Sequence, residues 1–210
     1  TTLVPSLGVV RIAADASFVM ADIPGLIVGA AEGAGLGAQF LRHLSRTSLL
    51  LHLVDVAPED ASDPIDNALA IESELIQYSE ALAERPIWIA LSKVDQLEAE
   101  GLETMLEAFA ETFPERPIYG VSALGDIGLP ELCQDLMLAL QEKRLRLRED
   151  DDFADQQQRL EERISKDVWA HSERMRTRRR GDPPVENSDD LDDGEYLSGD
   201  DATEVVYVRD

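Results

Sequence analysis

The chain has 210 residues with 19 basic and 43 acidic side chains, a formal charge of −24. This leaves room for one domain and an appendage and argues against a general nucleic-acid binder, because phosphates are repelled. A single cysteine, Cys133, excludes an internal disulfide framework, and no apolar run approaches the roughly 18 to 20 residues of a membrane span, so a soluble, cytoplasmic protein is expected.

The opening Thr1-Thr2, with neither an initiator methionine nor a leader-like segment, reads as a chain entered part-way. Two β-branched or aliphatic runs come first, Val9 to Ile12 and Phe18 to Ala21. They are too close for a crossover helix, which predicts an antiparallel hairpin at a sheet edge. Further strands are predicted at Leu49 to Val54, Pro86 to Leu91 and Pro117 to Val121. Between them lie helical patterns. Asp63-Pro64 has the form of an N-cap followed by proline at the first helical position, with Ile65, Leu69, Leu75, Ile76 and Leu82 as its predicted buried stripe. Leu102, Met105, Leu106 and Phe109 give the apolar side of the next helix. The last begins near Pro130, buries Leu132, Leu136 and Leu140, and ends at Lys143 and Arg144, whose charges suit a helix C-terminus. Alternating strands and helices predict an α/β fold, a mainly parallel sheet with helices on both faces.

Composition shifts near Glu149 and divides the chain in three. Residues 1–148 carry 23 acids and 10 bases among apolar clusters, the expected folded domain. Residues 149–180 form a polar extension with helical potential over 159–180, ending in Arg174, Arg176, Arg178, Arg179 and Arg180, and with few aliphatic side chains to offset its ordering entropy. Residues 181–210 hold 11 acids and one base; like charges at that density keep a chain extended, so a disordered acidic tail is expected.

In an open α/β sheet, ligands bind beyond the carboxyl ends of the strands. Reading those ends in order gives Asp22-Ile23-Pro24-Gly25, then Asp55, then Ser92-Lys93-Val94-Asp95, then Ser122-Ala123-Leu124. A carboxylate at Asp22 suits the water shell of a Mg²⁺ ion that bridges phosphates, and Gly25 lets a backbone N–H approach a phosphate with no Cβ in the way. Asp95 can accept from both N1–H and the exocyclic amine of guanine, a donor pair that adenine lacks; adenine would leave a carboxylate unpaired, at a cost of ~1 to 3 kcal/mol. The stem of Lys93 can lie over the base, and the Ala123 N–H can donate to guanine O6. Together, 70 residues from Asp22 to Ser92 and 30 from Ser92 to Ser122, these segments resemble the GTP-binding order of the Ras-like GTPases.

The wording around them resembles one family in particular, the Obg GTPases, bacterial ribosome-associated G proteins. The likeness rests on Thr1 to Gly8 (TTLVPSLG), on Asp22 to Ile27 (DIPGLI), and on the glycine-rich run Gly29 to Gly37 that leads to Phe40-Leu41-Arg42-His43. It covers about residues 1–140. The resemblance implies a Ras-like P-loop GTPase architecture, incomplete at its N-terminus, that binds GTP or GDP with Mg²⁺. It implies Thr2, beside Thr1, as a switch threonine ligating the metal with Asp22, and residues 22 to about 37 as a second switch. The implied activity is slow GTP hydrolysis, working as a switch in large-subunit ribosome assembly and growth control. The acidic C-terminus also resembles the tail of some members.

Several residues depart from the family pattern. The phosphate-binding loop G-x-x-x-x-G-K-[ST] does not occur in the chain, so nucleotide affinity is expected in the millimolar range or weaker. Ser92 stands where an asparagine is usual, Val28 where an acid is common, Ser6 where an asparagine is usual, and Leu26 where Ras-type enzymes place a water-orienting glutamine. An apolar side chain cannot polarise water, so no catalytic base is assigned. The competing reading is a nucleotide-independent interaction module that binds through the acidic tail. Gly33, Gly35 and Gly37 do not have dinucleotide-loop spacing. His43, His52 and His171 lack metal-ligand spacing, and His52 reads as a core or edge histidine. Cys133 reads as packing, Asp55 as a structural carboxylate, and Trp169, if exposed, as a partner contact.

Overall fold

The computed structural model describes residues 6–22, 47–180 and 205–209. Strands β1 (Ser6–Ala13) and β2 (Ala16–Asp22) form the expected antiparallel hairpin, with Val9 opposite Val19 and Val10 opposite Phe18. Strand β3 (Leu49–Asp55) leads to helix α1 (Pro64–Tyr78), a short helix α2 (Glu80–Ala83) and strand β4 (Ile87–Ser92). Helix α3 (Ala99–Thr112), strand β5 (Ile118–Gly120) and helix α4 (Leu129–Glu149) follow, then the 30-residue helix α5 (Asp151–Arg180) and strand β6 (Val205–Arg209). The sheet order is β1-β2-β6-β3-β4-β5, parallel from β2 onward. This is the α/β architecture read from the sequence, a mainly parallel sheet with helices on both faces.

Local chemistry explains the boundaries. Pro86 and Pro117, placed in strands by the sequence pattern, fall just outside β4 and β5, because proline has no N–H for the ladder. Their carbonyls are still used, accepting from Leu50 and Ile89 at 2.9 Å each. Asp63 caps α1 as expected, its carboxylate accepting from the N–H groups of Ile65 (2.8 Å) and Asp66 (3.2 Å). The buried stripe of α1 is Ala68, Ile71 and Leu75, whereas Leu69 and Ile76 are 44% and 49% exposed. At 100° per residue the face centred on 68, 71 and 75 leaves both of them on its flank, which corrects the predicted stripe.

Side-chain alternation sorts the core onto the two faces of the sheet. Phe18, Leu49, Leu51 and Ala90 pack with Leu132, Leu136, Met137 and Leu140 of α4. On the other face Ala21, Leu50 and Ile87 meet Ile71, Leu75, Leu82, Leu160, Ile164 and Val168, while Val54, Ile89 and Leu91 meet Ala68, Phe109 and Phe113.

The C-terminal third is helical where the sequence offered helical potential, since α5 spans Asp151–Arg180, but its few aliphatic side chains bury more than expected: Leu160, Ile164 and Val168 enter the core, spaced four apart and therefore on one stripe. Arg163 reinforces this contact with a two-pronged pair to Glu84 (2.9 and 2.6 Å), and the Ser79 hydroxyl donates to Asp167 at 2.6 Å. Within the tail, expected to be disordered throughout 181–210, Val205–Arg209 is a central strand, parallel to β2 (Met20 beside Val205) and to β3 (Leu49 beside Val205). The β-branched and aromatic run Val205-Val206-Tyr207-Val208 supplies strand preference, and the two edges left between β2 and β3 supply partners. The rest of the tail, 181–204 and Asp210, lies outside the described residues.

Candidate functional site: the carboxyl ends of the strands

Because β2, β6, β3, β4 and β5 are parallel, their carboxyl ends lie at one end of the sheet. Asp55 and Ser92 are register partners on neighbouring strands. The Val56 N–H donates to the Ser92 carbonyl at 3.2 Å, and the Ser92 hydroxyl donates to the Val54 carbonyl at 3.1 Å. The ends of β3 and β4 are thereby locked together before the chain turns.

After Ser92 the backbone enters the left-handed region at Lys93 (φ 63°, ψ 32°) and makes one 3-10 turn over Val94–Gln96. A non-glycine residue there carries a strain of order 1 to 3 kcal/mol. The turn is held by its own hydrogen bonds, Gln96 N–H to the Lys93 carbonyl (3.0 Å) and Leu97 N–H to the Val94 carbonyl (3.1 Å), and by Val94 N–H to the Val121 carbonyl of the neighbouring segment (3.3 Å). Val94 is buried in the core, which anchors the turn and leaves Asp95 exposed at its tip.

The Ser122 segment is a tight loop beside that turn. Ser122 and Ile127 exchange backbone N–H and carbonyl bonds at 3.0 Å each, and the buried Ser122 hydroxyl accepts from the Gly125 N–H at 2.8 Å. Ala123 and Leu124 project at the exposed loop tip. Gly128 closes the loop with φ +67°, and a Cβ there would overlap the Gly120 carbonyl oxygen; only glycine fits.

Lys93 does not lie free over a base position. Its ammonium pairs with the Asp55 carboxylate, which holds the lysine pKa above its ordinary value, the hydrogen bond to Asp55 being the main cause. The pairing was not anticipated from the sequence. The available signal was the strand-end aspartate itself, since equal offsets from the two strand cores place Asp55 beside Ser92.

Asp22 ends β2, half-buried. By alternation with Phe18 and Met20 it falls on the same sheet face as Asp55 and Ser92. It is set back from them: through β6 its register runs level with Tyr207, Leu51 and Trp88. That is four residues short of Asp55 and Ser92, or about 13 Å along the strands, with β6 lying between β2 and β3. Of the other predicted site residues, Thr1, Thr2, Ile23, Pro24 and Gly25 lie outside the described residues. Among the described residues no group of three or more His, Cys, Asp or Glu could hold a metal ion. The single carboxylate of Asp22 still fits Mg²⁺, which takes one or two carboxylates and completes its shell with phosphate oxygens and water.

A groove of about 530 Å³ lies between the N-terminal parts of α1 and α3, lined by residues including Asp63, Ile65, Glu98, Glu100, Thr104 and Met105. Ser92, Lys93 and Asp95 are not among its lining residues. Among the described residues no helix is long and apolar enough to cross a membrane.

The family model described as 50S ribosome-binding GTPase matches residues 1–93. The matched stretch takes in Asp22-Ile23-Pro24-Gly25, β3 and β4, and stops at Lys93, short of Asp95 and the Ser122 loop. Residues 1–93 are therefore similar to a GTPase domain family, which supports guanine-nucleotide binding and GTP hydrolysis in general terms.

Proposed function

We propose that this chain carries the base-recognition side of a GTP-binding domain of the Obg type, acting with Mg²⁺ as a nucleotide-controlled switch in large-subunit ribosome assembly. The observation that carries the reading is the convergence of the Asp95 turn and the Ser122–Leu124 loop, fastened by the Val94–Val121 hydrogen bond at one end of a parallel sheet. The family match to residues 1–93 supports the GTPase class independently.

In this reading Asp95, exposed at the tip of its turn, accepts from the guanine N1–H and amine, while the Ala123 N–H donates to O6. Selectivity arises because adenine satisfies neither contact. Ser92 supports the turn through its bond to Val54 in place of an asparagine carboxamide. Asp22 would hold Mg²⁺ through its water shell, with Thr2 as a direct ligand; the ion would neutralise phosphate charge. Leu26 offers no proton acceptor, so hydrolysis would be slow and assisted by backbone groups, the metal or a partner.

Titration of the chain with GDP and with ATP, each with Mg²⁺ and followed by backbone NMR, tests this. The expected result is weak, guanine-selective binding with shifts centred on Asp95 and Ala123. Equal responses to GDP and ATP would contradict it.

A further inference from the structure

The guanine reading leaves one charged side chain at the strand ends unused. Asp55 is fixed at both carboxylate oxygens: Oδ1 accepts from the Ala57 N–H at 2.9 Å, closing a turn on its own backbone, and Oδ2 accepts from the Lys93 ammonium. Its backbone is fixed as well, paired with Ser92 in the β3–β4 ladder. Lys93 is the residue that bends the chain from β4 into the Asp95 turn, through its left-handed backbone. Asp55 thus ties the long side chain of Lys93, two residues before Asp95, to a rigid point at the end of β3.

The magnitudes separate a stabilising role from a positioning one. The side chains of Lys93 and Asp55 are 45% and 26% exposed, and ion pairs in such a setting contribute little to folding after solvent screening. Restricting a four-carbon side chain to one direction acts instead on binding, because its rotamer entropy is lost before the ligand arrives. We propose that Asp55 is a positioning residue for guanine nucleotide binding: it holds Lys93 so that the lysine stem flanks the place where the base meets Asp95. The inference rests on the guanine-binding reading above.

The test is a double-mutant cycle on the full chain with GDP as the probe, using Asp55→Asn, which retains an acceptor for the Ala57 N–H, together with Lys93→Met. Asp55→Asn is expected to weaken GDP binding about five- to tenfold in the wild-type background and less than about twofold when Lys93 is already methionine. The melting temperature should barely change, because an exposed pair adds little. A merely structural Asp55 would lower the melting temperature and leave the coupling at zero. Asp95→Asn is measured alongside with GDP and xanthosine diphosphate. If Asp95→Asn moves preference to the xanthine nucleotide while Asp55→Asn leaves GDP affinity unchanged, or weakens it equally in both backgrounds, only the role of Asp55 falls. If Asp95→Asn moves nothing, or the chain binds no GDP at all, the guanine reading falls and the role of Asp55 with it.

Discussion

The backbone N–H of Val94 donates to the carbonyl of Val121 across 3.3 Å, so the turn that carries Asp95 and the loop that carries Ala123 are joined by a main-chain bond. The burial of Val94 and Val121 in the core backs that bond. Substitutions at Ser92, Asp95 and Ala123 should therefore change ligand contacts more than they change the geometry between the two segments.

Ser92 is the first such position. Its hydroxyl bonds the Val54 carbonyl at 3.1 Å, and the amide of an asparagine can make the same bond while adding a carboxamide oxygen. Ser92→Asn is expected to tighten GDP binding several-fold, about 1 kcal/mol for one net hydrogen bond. Ser92→Ala should lower stability by a similar amount. Calorimetric titration and urea unfolding check the pair, and an unchanged or weakened affinity for Ser92→Asn would contradict the role given to this position.

Helix α5 should behave as part of the domain. Ile164 is fully buried among Leu82, Ile87 and Leu75. Ile164→Ala is therefore expected to cost about 2 to 5 kcal/mol in urea unfolding, the range for a buried aliphatic truncated in a core. A loss below about 0.5 kcal/mol, typical of surface positions, would show the helix to be detached in solution.

The tail strand makes a parallel prediction. Val206 sits centrally in β6, level with Ala21 on one side and Leu50 on the other. Val206→Pro removes an N–H and puts a ring into the middle of the sheet. Hydrogen exchange should then accelerate in β2 and β3, with β4 and β5 much less affected. Unchanged protection in β2 and β3 would mean that β6 does not join them.

How much of this was legible in the sequence depended on whether a signal was local. The hairpin, the parallel strands and the Asp63 cap follow from alternation, spacing and a single carboxylate next to proline. The strand-end positions of Asp55 and Ser92 are legible in the same way, whereas the face they share with Asp22 emerges only from the packing of their neighbours. Register between strands distant in sequence is not local, so the set-back of Asp22 could not be read. The helical character of residues 159–180 is legible, but the docking of α5 is hidden by its polar composition, although three aliphatics four residues apart complete the cluster around Leu82. Strand β6 was obscured in the same way, five residues in an acidic run being outvoted by their neighbours.

Cys133 provides a check on α4. It is half-buried beside Leu132, and burial pushes its thiol pKa up. Near pH 8 the thiolate fraction, and with it the rate of alkylation, should fall below that of an exposed cysteine and recover on unfolding in urea. A native-state rate equal to that of a free thiol would place Cys133 in solvent and contradict the packing of this helix.

The account's central claim is that Asp95 reads guanine, and the most direct measurement is the GDP and xanthosine diphosphate affinity of Asp95→Asn against the unmodified chain. Asparagine presents a donor where aspartate presented only acceptors, so it loses the match to the guanine amine and gains one to the xanthine oxygen. The account predicts a reversal, with GDP weakened and the xanthine nucleotide favoured. An Asp95→Asn chain that keeps its wild-type preference would show that this carboxylate does not touch the base.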